Sequence, residues 1–160
     1  MIDADSLRKI MRQWTTGVTL VTCHDRGRPH GMTVTSFTSV SLRPPIILVS
    51  LEKSSRTHSM VQEEQVFAVS VLAEDQRDLA DRFAGRVPDS DDRFAGVDYL
   101  PAASGAPIPA GSLAYLDCRV AGTYSAGTHT LFLGEVTGGE VLRDGPPLLY
   151  YNRDYRHLPP

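Results

Sequence analysis

Residues 31–51, GMTVTSFTSVSLRPPIILVSL, decide how the rest of this 160-residue chain is interpreted. Apolar residues recur through the first half of the stretch, and a nearly continuous apolar run, IILVSL, fills the end. This pattern is typical of two buried strands, with a break at Pro44 and Pro45. Six hydroxyl side chains stand among the apolar ones between residues 33 and 41: Thr33, Thr35, Ser36, Thr38, Ser39 and Ser41. We interpret the middle of the stretch as a hydroxyl-rich loop between a strand ending at Thr35 and a strand at 46–51.

Short hydroxyls and unpaired backbone amides are the groups with which an extended loop holds a phosphate and a polar heterocycle. A second cluster, residues 53–57 (KSSRT), stands at the predicted start of a helix. There the helix dipole and free N–H groups favour an anion, and Lys53 or Arg56 adds positive charge. The two clusters predict a two-part site for a phosphorylated aromatic ligand. The alternative is an exposed edge strand followed by an ordinary serine N-cap.

Periodicity along the rest of the chain predicts a mainly β fold. Residues 4–14 are predicted to be a helix, because Leu7, Ile10, Met11 and Trp14 share one face. Two further helices are predicted at 54–65 and 74–85, the last ended by Gly85. Short turns join most of the predicted strands, which favours an antiparallel barrel with the helices outside. The strands, besides those of the opening stretch, are predicted at 17–25, 66–72, 113–122, 130–136 and 147–152.

Residues 86–112 are rich in proline and glycine and show no clear period. An irregular segment of this length in a compact domain is usually functional or a lid.

Composition narrows the possible classes of protein. The chain is long enough for one domain with a real core, and we expect a single domain over residues 1–160. Its net charge of −3 gives no electrostatic support to a nucleic-acid or anionic-membrane partner. No apolar run is long enough to span a bilayer, and the N-terminus lacks the pattern of a signal peptide. A cytoplasmic location is therefore expected.

Several well-known site motifs are missing from the sequence. It contains no Rossmann or P-loop glycine pattern, no zincin motif and no nucleophile elbow. The five histidines, at positions 24, 30, 58, 129 and 157, have no ligand spacing, so no metal site is predicted. Cys23 and Cys118 are expected to be buried strand residues and not a disulfide.

Five stretches occur together in a known order and spacing: GVTLVT, HGMTVTSFTSVSLRPPIILVSLEKSSRTH, FAVSVL, RFAG and GTHTLFLGEV. In them the chain resembles the short-chain NAD(P)H:flavin reductase family, from about Trp14 to Tyr155. Members of that family are the small partners of two-component flavin-dependent monooxygenases. The resemblance implies the FMN-binding split barrel, a six-stranded antiparallel Greek-key barrel with a few peripheral helices. It also implies a homodimer with the flavin near the subunit interface.

The resemblance further implies which residues bind the cofactors. The segment that resembles the lining of the isoalloxazine ring and ribityl chain comprises Thr33, Val34, Thr35, Ser36, Ser39 and Val40. The segment that resembles the holder of the remaining ribityl chain and the phosphate comprises Ser50, Leu51, Lys53, Ser54, Ser55 and Thr57. Phe83, Ala84 and Gly85 resemble a loop that closes over the flavin. Tyr151 and Arg153 belong to a C-terminal stretch that resembles the part near the nicotinamide cofactor.

His129 resembles the histidine of the family's Gly-Asp-His motif, placed where nicotinamide stacks on the flavin, and is the implied catalytic residue. This chain has Thr128 where the family usually has Asp. A threonine hydroxyl orients an imidazole more weakly than a carboxylate does, so this departure bears on nicotinamide binding.

The implied activity is an NAD(P)H:flavin oxidoreductase. It moves hydride from nicotinamide C4 to flavin N5 and supplies reduced FMN or FAD to a partner monooxygenase. One alternative is a split-barrel flavoprotein that retains FMN and reduces another small substrate. Another is a non-enzymatic flavin-binding module. The sequence does not choose between FMN and FAD or between NADH and NADPH. It also does not identify the partner oxygenase or decide whether the flavin is substrate or prosthetic group.

Overall fold

A computed structural model describes residues 1–85 and 92–159 of the chain. The mainly β architecture predicted from the sequence is confirmed. The described residues form three α-helices: α1 (Ala4–Met11), α2 (Arg56–Glu64) and α3 (Arg77–Phe83). They also form twelve strands: β1 (Thr16–Gly17), β2 (Thr19–Asp25), β3 (Arg28–Val34), β4 (Phe37–Leu42), β5 (Pro45–Glu52), β6 (Val66–Val71), β7 (Tyr99–Pro101), β8 (Pro107–Pro109), β9 (Ala114–Ala126), β10 (His129–Val141), β11 (Leu149–Tyr151) and β12 (Asp154–Arg156).

The main sheet of the described residues is antiparallel, in the order β3-β2-β6-β9-β10-β5-β4. Val34 on β3 and Phe37 on β4, at opposite edges of this order, pack against the same apolar core. The sheet therefore curls round until its two edges meet at one core, as in a split barrel. Helix α2 closes the core with Met60 and Val61.

This sheet has seven strands, one more than the expected barrel. The extra strand is β4, which lies in the stretch interpreted above as a loop. Phe37 to Leu42 pair with β5, with a register shift between Ser39 and Ser41. The loop interpretation was wrong because hydroxyl side chains are tolerated on an edge strand whose outer face is exposed.

The barrel core contains two fully buried phenylalanines. Phe67 on β6 and Phe132 on β10 are fully buried together with Val21, Val49 and Leu51. A second cluster lies outside the barrel under α3, where Leu20, Leu72, Phe83, Phe94 and Leu148 pack together. Both clusters draw on residues of β2, so the strand holds the barrel and its outer layer together.

The two cysteines are confirmed as buried strand residues. Cys23 is fully buried and Cys118 is 1% exposed. Burial raises the pKa of each thiol to about 12, so both remain protonated at neutral pH.

Helix α1 is shorter than predicted. It ends at Met11, and none of its residues is buried. Leu7, Ile10, Met11 and Trp14, predicted to share one helix face, are 50–67% exposed. The periodic pattern correctly predicted a helix, but the apolar face of that helix is not buried against the rest of the chain.

Part of the irregular segment 86–112 has regular structure. Strands β7 and β8 form a small antiparallel sheet, and Ala102, Ala106 and Ile108 pack against Ala68 of the barrel. The predicted lid also includes residues 86–91, which lie outside the described residues.

A survey of the helices in the two described segments finds none of the length and apolarity that crossing a bilayer requires.

The close packing of Phe67 depends on Gly134, and we expect Gly134→Ala to destabilise the fold. A Cβ at Gly134 would lie 2.6 Å from Cζ of Phe67 and 3.0 Å from Cβ of Cys118. Both neighbours are buried, so the clash should lower the free energy of unfolding by about 1–3 kcal/mol. Urea unfolding of the two proteins measures the difference.

The matched control is Gly122→Ala on β9, where a Cβ would meet only Cδ1 of Leu133 at 3.8 Å. Its stability should stay close to that of the wild type. Equal losses for the two variants would contradict the packing argument.

Candidate functional site

A cavity of about 1000 Å³ lies between α1, the start of β4, the middle of β5 and the C-terminal hairpin β11–β12. Its walls combine aromatic, hydroxyl and guanidinium groups, which suits a flat, polar and anionic ligand. The lining residues are Asp5, Arg8, Met11, Arg12, Trp14, Thr16, Thr35, Ser36, Phe37, Thr38, Leu48, Ser50, Tyr150, Asn152 and Arg153.

One wall of the cavity is the link between β3 and β4. Thr35 and Ser36 are the only residues between these strands. The Ser36 hydroxyl donates to the Ser50 carbonyl at 2.7 Å, and the Ser50 amide donates to the Ser36 carbonyl at 3.2 Å. These bonds extend the β4–β5 ladder by one step and hold Thr35, Ser36 and Ser50 together at the cavity wall.

Another part of the lining comes from residues 5–16 and 150–153. The Asn152 amide donates to the Arg12 carbonyl at 3.2 Å, which fixes the β11–β12 turn against the end of α1. Tyr150 and Trp14 provide the aromatic surface on this side. Tyr151, the predicted neighbour of the nicotinamide cofactor, is half-buried and adjoins this wall without lining the cavity.

The cavity brings together four of the predicted binding residues: Thr35, Ser36, Ser50 and Arg153. The side chains of three others make contacts within the fold and are not available to a ligand. The Thr33 hydroxyl donates to the Ala80 carbonyl at 2.7 Å, while Val34 and Leu51 are buried in the barrel core. Ser39 and Val40 are exposed on β4 and do not line the cavity.

The predicted loop residues Phe83, Ala84 and Gly85 end α3. Phe83 is fully buried and its ring packs against that of Phe94, with centroids 4.8 Å apart. Ala84 and Gly85 are exposed, and Gly85 has a φ of +70°. This confirms Gly85 as the glycine that ends the helix. The three residues lie outside the lining of the cavity.

The N-terminus of α2 is capped as the sequence indicated. The Ser55 hydroxyl accepts from the His58 amide at 3.2 Å and donates to the Glu52 carbonyl at 2.7 Å. Thr57 is 1% exposed and its hydroxyl lies 3.0 Å from Nε2 of His30. Ser54 is exposed at the start of the helix. An anion at this helix end is therefore left with Ser54 and the helix dipole as its accessible contacts.

Lys53 has a partner that the sequence did not reveal. Its ammonium group donates to the Gly127 carbonyl at 2.7 Å and to the Ser125 hydroxyl at 2.8 Å. The Lys53 amide also donates to the Thr128 carbonyl at 3.0 Å. Lys53 thus clamps the β9–β10 turn, which carries His129, to the end of β5.

His129 begins β10 and is half-buried beside this clamp. Its Nδ1 lies 3.0 Å from the Thr128 hydroxyl, so Thr128 contacts the imidazole. His129 pairs with Glu52, and Leu131, two residues on, pairs with Ser50 of the cavity wall. Because side chains alternate along a strand, His129 lies on the same face as Leu131, roughly 7 Å along the strand.

Sequence reasoning missed the contribution of α1 and the residues after it. Arg8, Met11, Arg12, Trp14 and Thr16 line the cavity although they precede the hydroxyl-rich stretch by about twenty residues. The available signal was the amphipathic pattern of α1, which predicted the helix but not what its apolar face lies beside.

The residues present fit a flavin and a nicotinamide nucleotide. Trp14, Phe37 and Tyr150 offer ring surface, the hydroxyls of Thr35 and Ser36 offer hydrogen bonds, and the arginines offer positive charge. A volume of about 1000 Å³ is at the upper end of the range typical of ligand cavities, which leaves room for large cofactors.

Comparison with known proteins gives the following likenesses. The model of the "Flavin reductase like domain" family matches residues 11–159. The reductase subunit HsaB of a flavin-dependent monooxygenase from Rhodococcus jostii is 37% identical over 159 residues, covering 99% of this chain and 80% of that protein. The actinorhodin polyketide dimerase of Streptomyces coelicolor is 43% identical over 157 residues, covering 98% and 87%.

A solved structure shows the same fold with cofactor pieces bound. It is the Streptomyces globisporus NADH:FAD oxidoreductase SgcE6 in complex with NAD and FAD fragments, with a TM-score of 0.91 and 37% identity. The alignment covers 100% of this chain and 97% of that one.

The contact between His30 and Thr57 predicts a pH dependence of stability. Burial, with Arg56 and Arg93 nearby, lowers the pKa of His30 to about 4 in the folded chain. Unfolding restores the ordinary value of about 6.5, so the unfolded state binds more protons between these values. Stability should therefore fall as the pH decreases from about 6.5 to about 4. Urea unfolding across this pH range measures it.

The comparison variant is His30→Gln, whose amide can still reach the Thr57 hydroxyl but does not titrate. Its stability should decline less steeply over the same pH range. An unchanged slope would show that another group causes the decline.

Proposed function

The chain belongs to the flavin reductase like domain family and is an NAD(P)H-dependent flavin oxidoreductase, and we propose that its reaction takes place in the cavity between α1, β4, β5 and the C-terminal hairpin. One observation carries the location. Thr35, Ser36 and Ser50 line the same cavity of about 1000 Å³ as several aromatic and guanidinium side chains. When bound, the nicotinamide and flavin supply the hydride transfer themselves, and the chain has to bind and align their rings.

The flavin side of the site is assigned to β4 and β5. Thr35, Ser36 and Ser50 offer hydroxyl and backbone groups for the polar edge of the ring system. Phe37 and Leu48 offer apolar surface for its face. The exposed Ser54 and the N-terminus of α2 are proposed phosphate contacts, since the other residues of that cluster are bonded within the chain. Thr33, Val34, Leu51 and Thr57 can reach a flavin only through their backbone.

His129 is proposed to orient the nicotinamide and not to transfer a proton. It lies on the face of β10 that continues the Ser50 row of the cavity wall. Thr128 holds Nδ1, which leaves Nε2 as the nitrogen directed away from the turn. Lys53 fixes the turn itself.

We propose that residues 1–160 form a single domain that associates as a homodimer. The family model covers all but the first ten and last residues, in agreement with one domain. Ile10 on α1 is 60% exposed, and Trp14, three residues after the end of α1, is 67% exposed. Together they leave an apolar face uncovered at this end of the cavity. Exposing an apolar face of this kind to water is unfavourable, and its burial against another surface is favourable. A second subunit on α1 would also close the cavity on that side.

The homodimer is tested with Ile10→Glu combined with Trp14→Ser. We expect light scattering to show the wild type at twice the monomer mass and the double variant at monomer mass, because the substitutions remove apolar area from the contact. Leu158→Ser, on an exposed leucine at the other end of the chain, is the control and should remain a dimer. A monomeric wild type at micromolar concentration would rule the homodimer out.

The proposed partner is a flavin-dependent monooxygenase that receives the reduced flavin by diffusion. HsaB, a relative at 37% identity, is the reductase subunit of such an enzyme. The cavity wall contacts a flavin through hydroxyls and backbone groups, which favours release over permanent retention.

A second candidate function rests on the dimerase relative. A family member at 43% identity is named for polyketide dimerisation and not for flavin reduction. The chain could accordingly retain its flavin and act on another small organic substrate. Protein that stays yellow after desalting favours this candidate, whereas colourless protein that rebinds added flavin favours exchange.

The reaction is tested by steady-state assays that combine NADH or NADPH with FMN, FAD or riboflavin. We expect wild-type turnover with at least one pair. His129→Ala should raise KM for the nicotinamide cofactor about tenfold, with flavin affinity nearly unchanged, because the ring is assigned to nicotinamide alignment. Thr128→Val should have a smaller effect in the same direction, since it removes only the bond to Nδ1.

His157→Ala is the control for this assay, because His157 is exposed and lies near Glu74, away from the cavity lining. It should keep both kinetic constants. A loss of flavin affinity in His129→Ala would assign that residue to the flavin or to the fold instead.

A further inference from the structure

Arg12 has an unsatisfied donor beside the cavity. Its Nε atom is buried and has no hydrogen-bond partner among the described residues, and the same is true of the Thr16 hydroxyl. Both side chains line the cavity. A buried N–H without an acceptor is unfavourable, and a guanidinium is the side chain best suited to bind phosphate oxygens in pairs.

A second arginine stands beside the first. The Asn152 amide is bonded to the Arg12 carbonyl, so the neighbouring Arg153 is held next to the end of α1. Arg153 also lines the cavity and makes no ion pair with the described residues. Asp5 is the only carboxylate in the lining, and Arg8 holds it at 2.7 Å. The charges of Arg12 and Arg153 are therefore left without a counter-charge in the lining.

The backbone conformation at Arg153 also supports a role for this arginine at the cavity. Asn152 and Arg153 form the two-residue turn between β11 and β12, with φ values of +49° and +65°. Turns of this kind usually place glycine at the second position, because a side chain there is strained. The chain tolerates this strain and so places a guanidinium at the cavity.

We propose that Arg12 and Arg153 form an anion subsite, with the Thr16 hydroxyl as a further donor, that binds a phosphate group of a nucleotide cofactor. The inference rests on the proposed location of the reaction. The group bound is either the pyrophosphate of the nicotinamide dinucleotide or the phosphate of the flavin mononucleotide, and in the second case this subsite replaces the phosphate contacts proposed above at Ser54.

The test measures the dissociation constants of FMN, riboflavin, NAD⁺ and nicotinamide riboside by calorimetry for the full chain and three variants. The variants are Arg12→Met, Arg153→Gly and the control Arg26→Gly. Arg26 is also a left-handed arginine in a two-residue turn, at a φ of +51°, but it lies outside the lining of the cavity. Urea unfolding of each protein accompanies the titrations.

In Arg12→Met and Arg153→Gly, the phosphorylated member of one ligand pair should bind about tenfold more weakly, while its unphosphorylated counterpart stays within twofold. A loss for FMN identifies the flavin phosphate, and a loss for NAD⁺ identifies the pyrophosphate. Arg153→Gly should be at least as stable as the wild type, because glycine relieves the strained turn. Arg26→Gly should share that stability and bind all four ligands normally.

Three results would overturn the subsite. They are unchanged affinities in both variants, equal losses for the two members of each pair, and a wild type that does not distinguish phosphorylated from unphosphorylated ligands. A wild type that binds both phosphorylated ligands through these arginines but fails to oxidise NADH or NADPH would instead overturn the proposed function alone.

Discussion

The closure of the main sheet around one core is the constraint on which the rest of the structure depends. Strands β3 and β4 are the two edges of the sheet, yet Val34 and Phe37 pack against the same apolar cluster. The chain must therefore pass from one edge to the other through Thr35 and Ser36 alone. At this crossing Ser36 and Ser50 bond to each other and extend the ladder by one step. The cavity lies beside the crossing and is lined there by Thr35, Ser36 and Ser50.

Hydroxyl side chains in this protein have two separate uses. Ser36 and Ser50 line the cavity, where the Ser36 hydroxyl donates to the Ser50 carbonyl and both residues remain next to the ligand space. Thr33, Ser55 and Thr57 have similar neighbours in sequence, but their hydroxyls bind Ala80, the α2 cap and His30. A hydroxyl contributes to fold or to ligand binding according to which backbone groups lie within its short reach.

The positively charged side chains likewise serve either the fold or the cavity. Lys53 is hydrogen-bonded to the β9–β10 turn. These bonds hold the turn, and His129 after it, next to the end of β5. Arg8 neutralises Asp5, whereas Arg12 and Arg153 face the cavity without a carboxylate. This difference between lysine and arginine follows from side-chain geometry. An ammonium on a flexible stem can donate to two separate acceptors in a turn, whereas a planar guanidinium suits an anion that accepts two parallel bonds.

The helices and buried strands could be predicted from the residues alone, because hydrophobic periodicity and helix caps act over a few residues. The sequence motifs also indicated the family and four residues that the cavity brings together, Thr35, Ser36, Ser50 and Arg153. The strand at 37–42 was visible in the folded structure and not in the sequence, since an edge strand is defined by the strand with which it pairs. Only the tertiary structure placed Arg12 and Trp14 at the cavity and Lys53 on the β9–β10 turn. These contacts join parts of the chain that are far apart in sequence, and their geometry exists only once the sheet has closed.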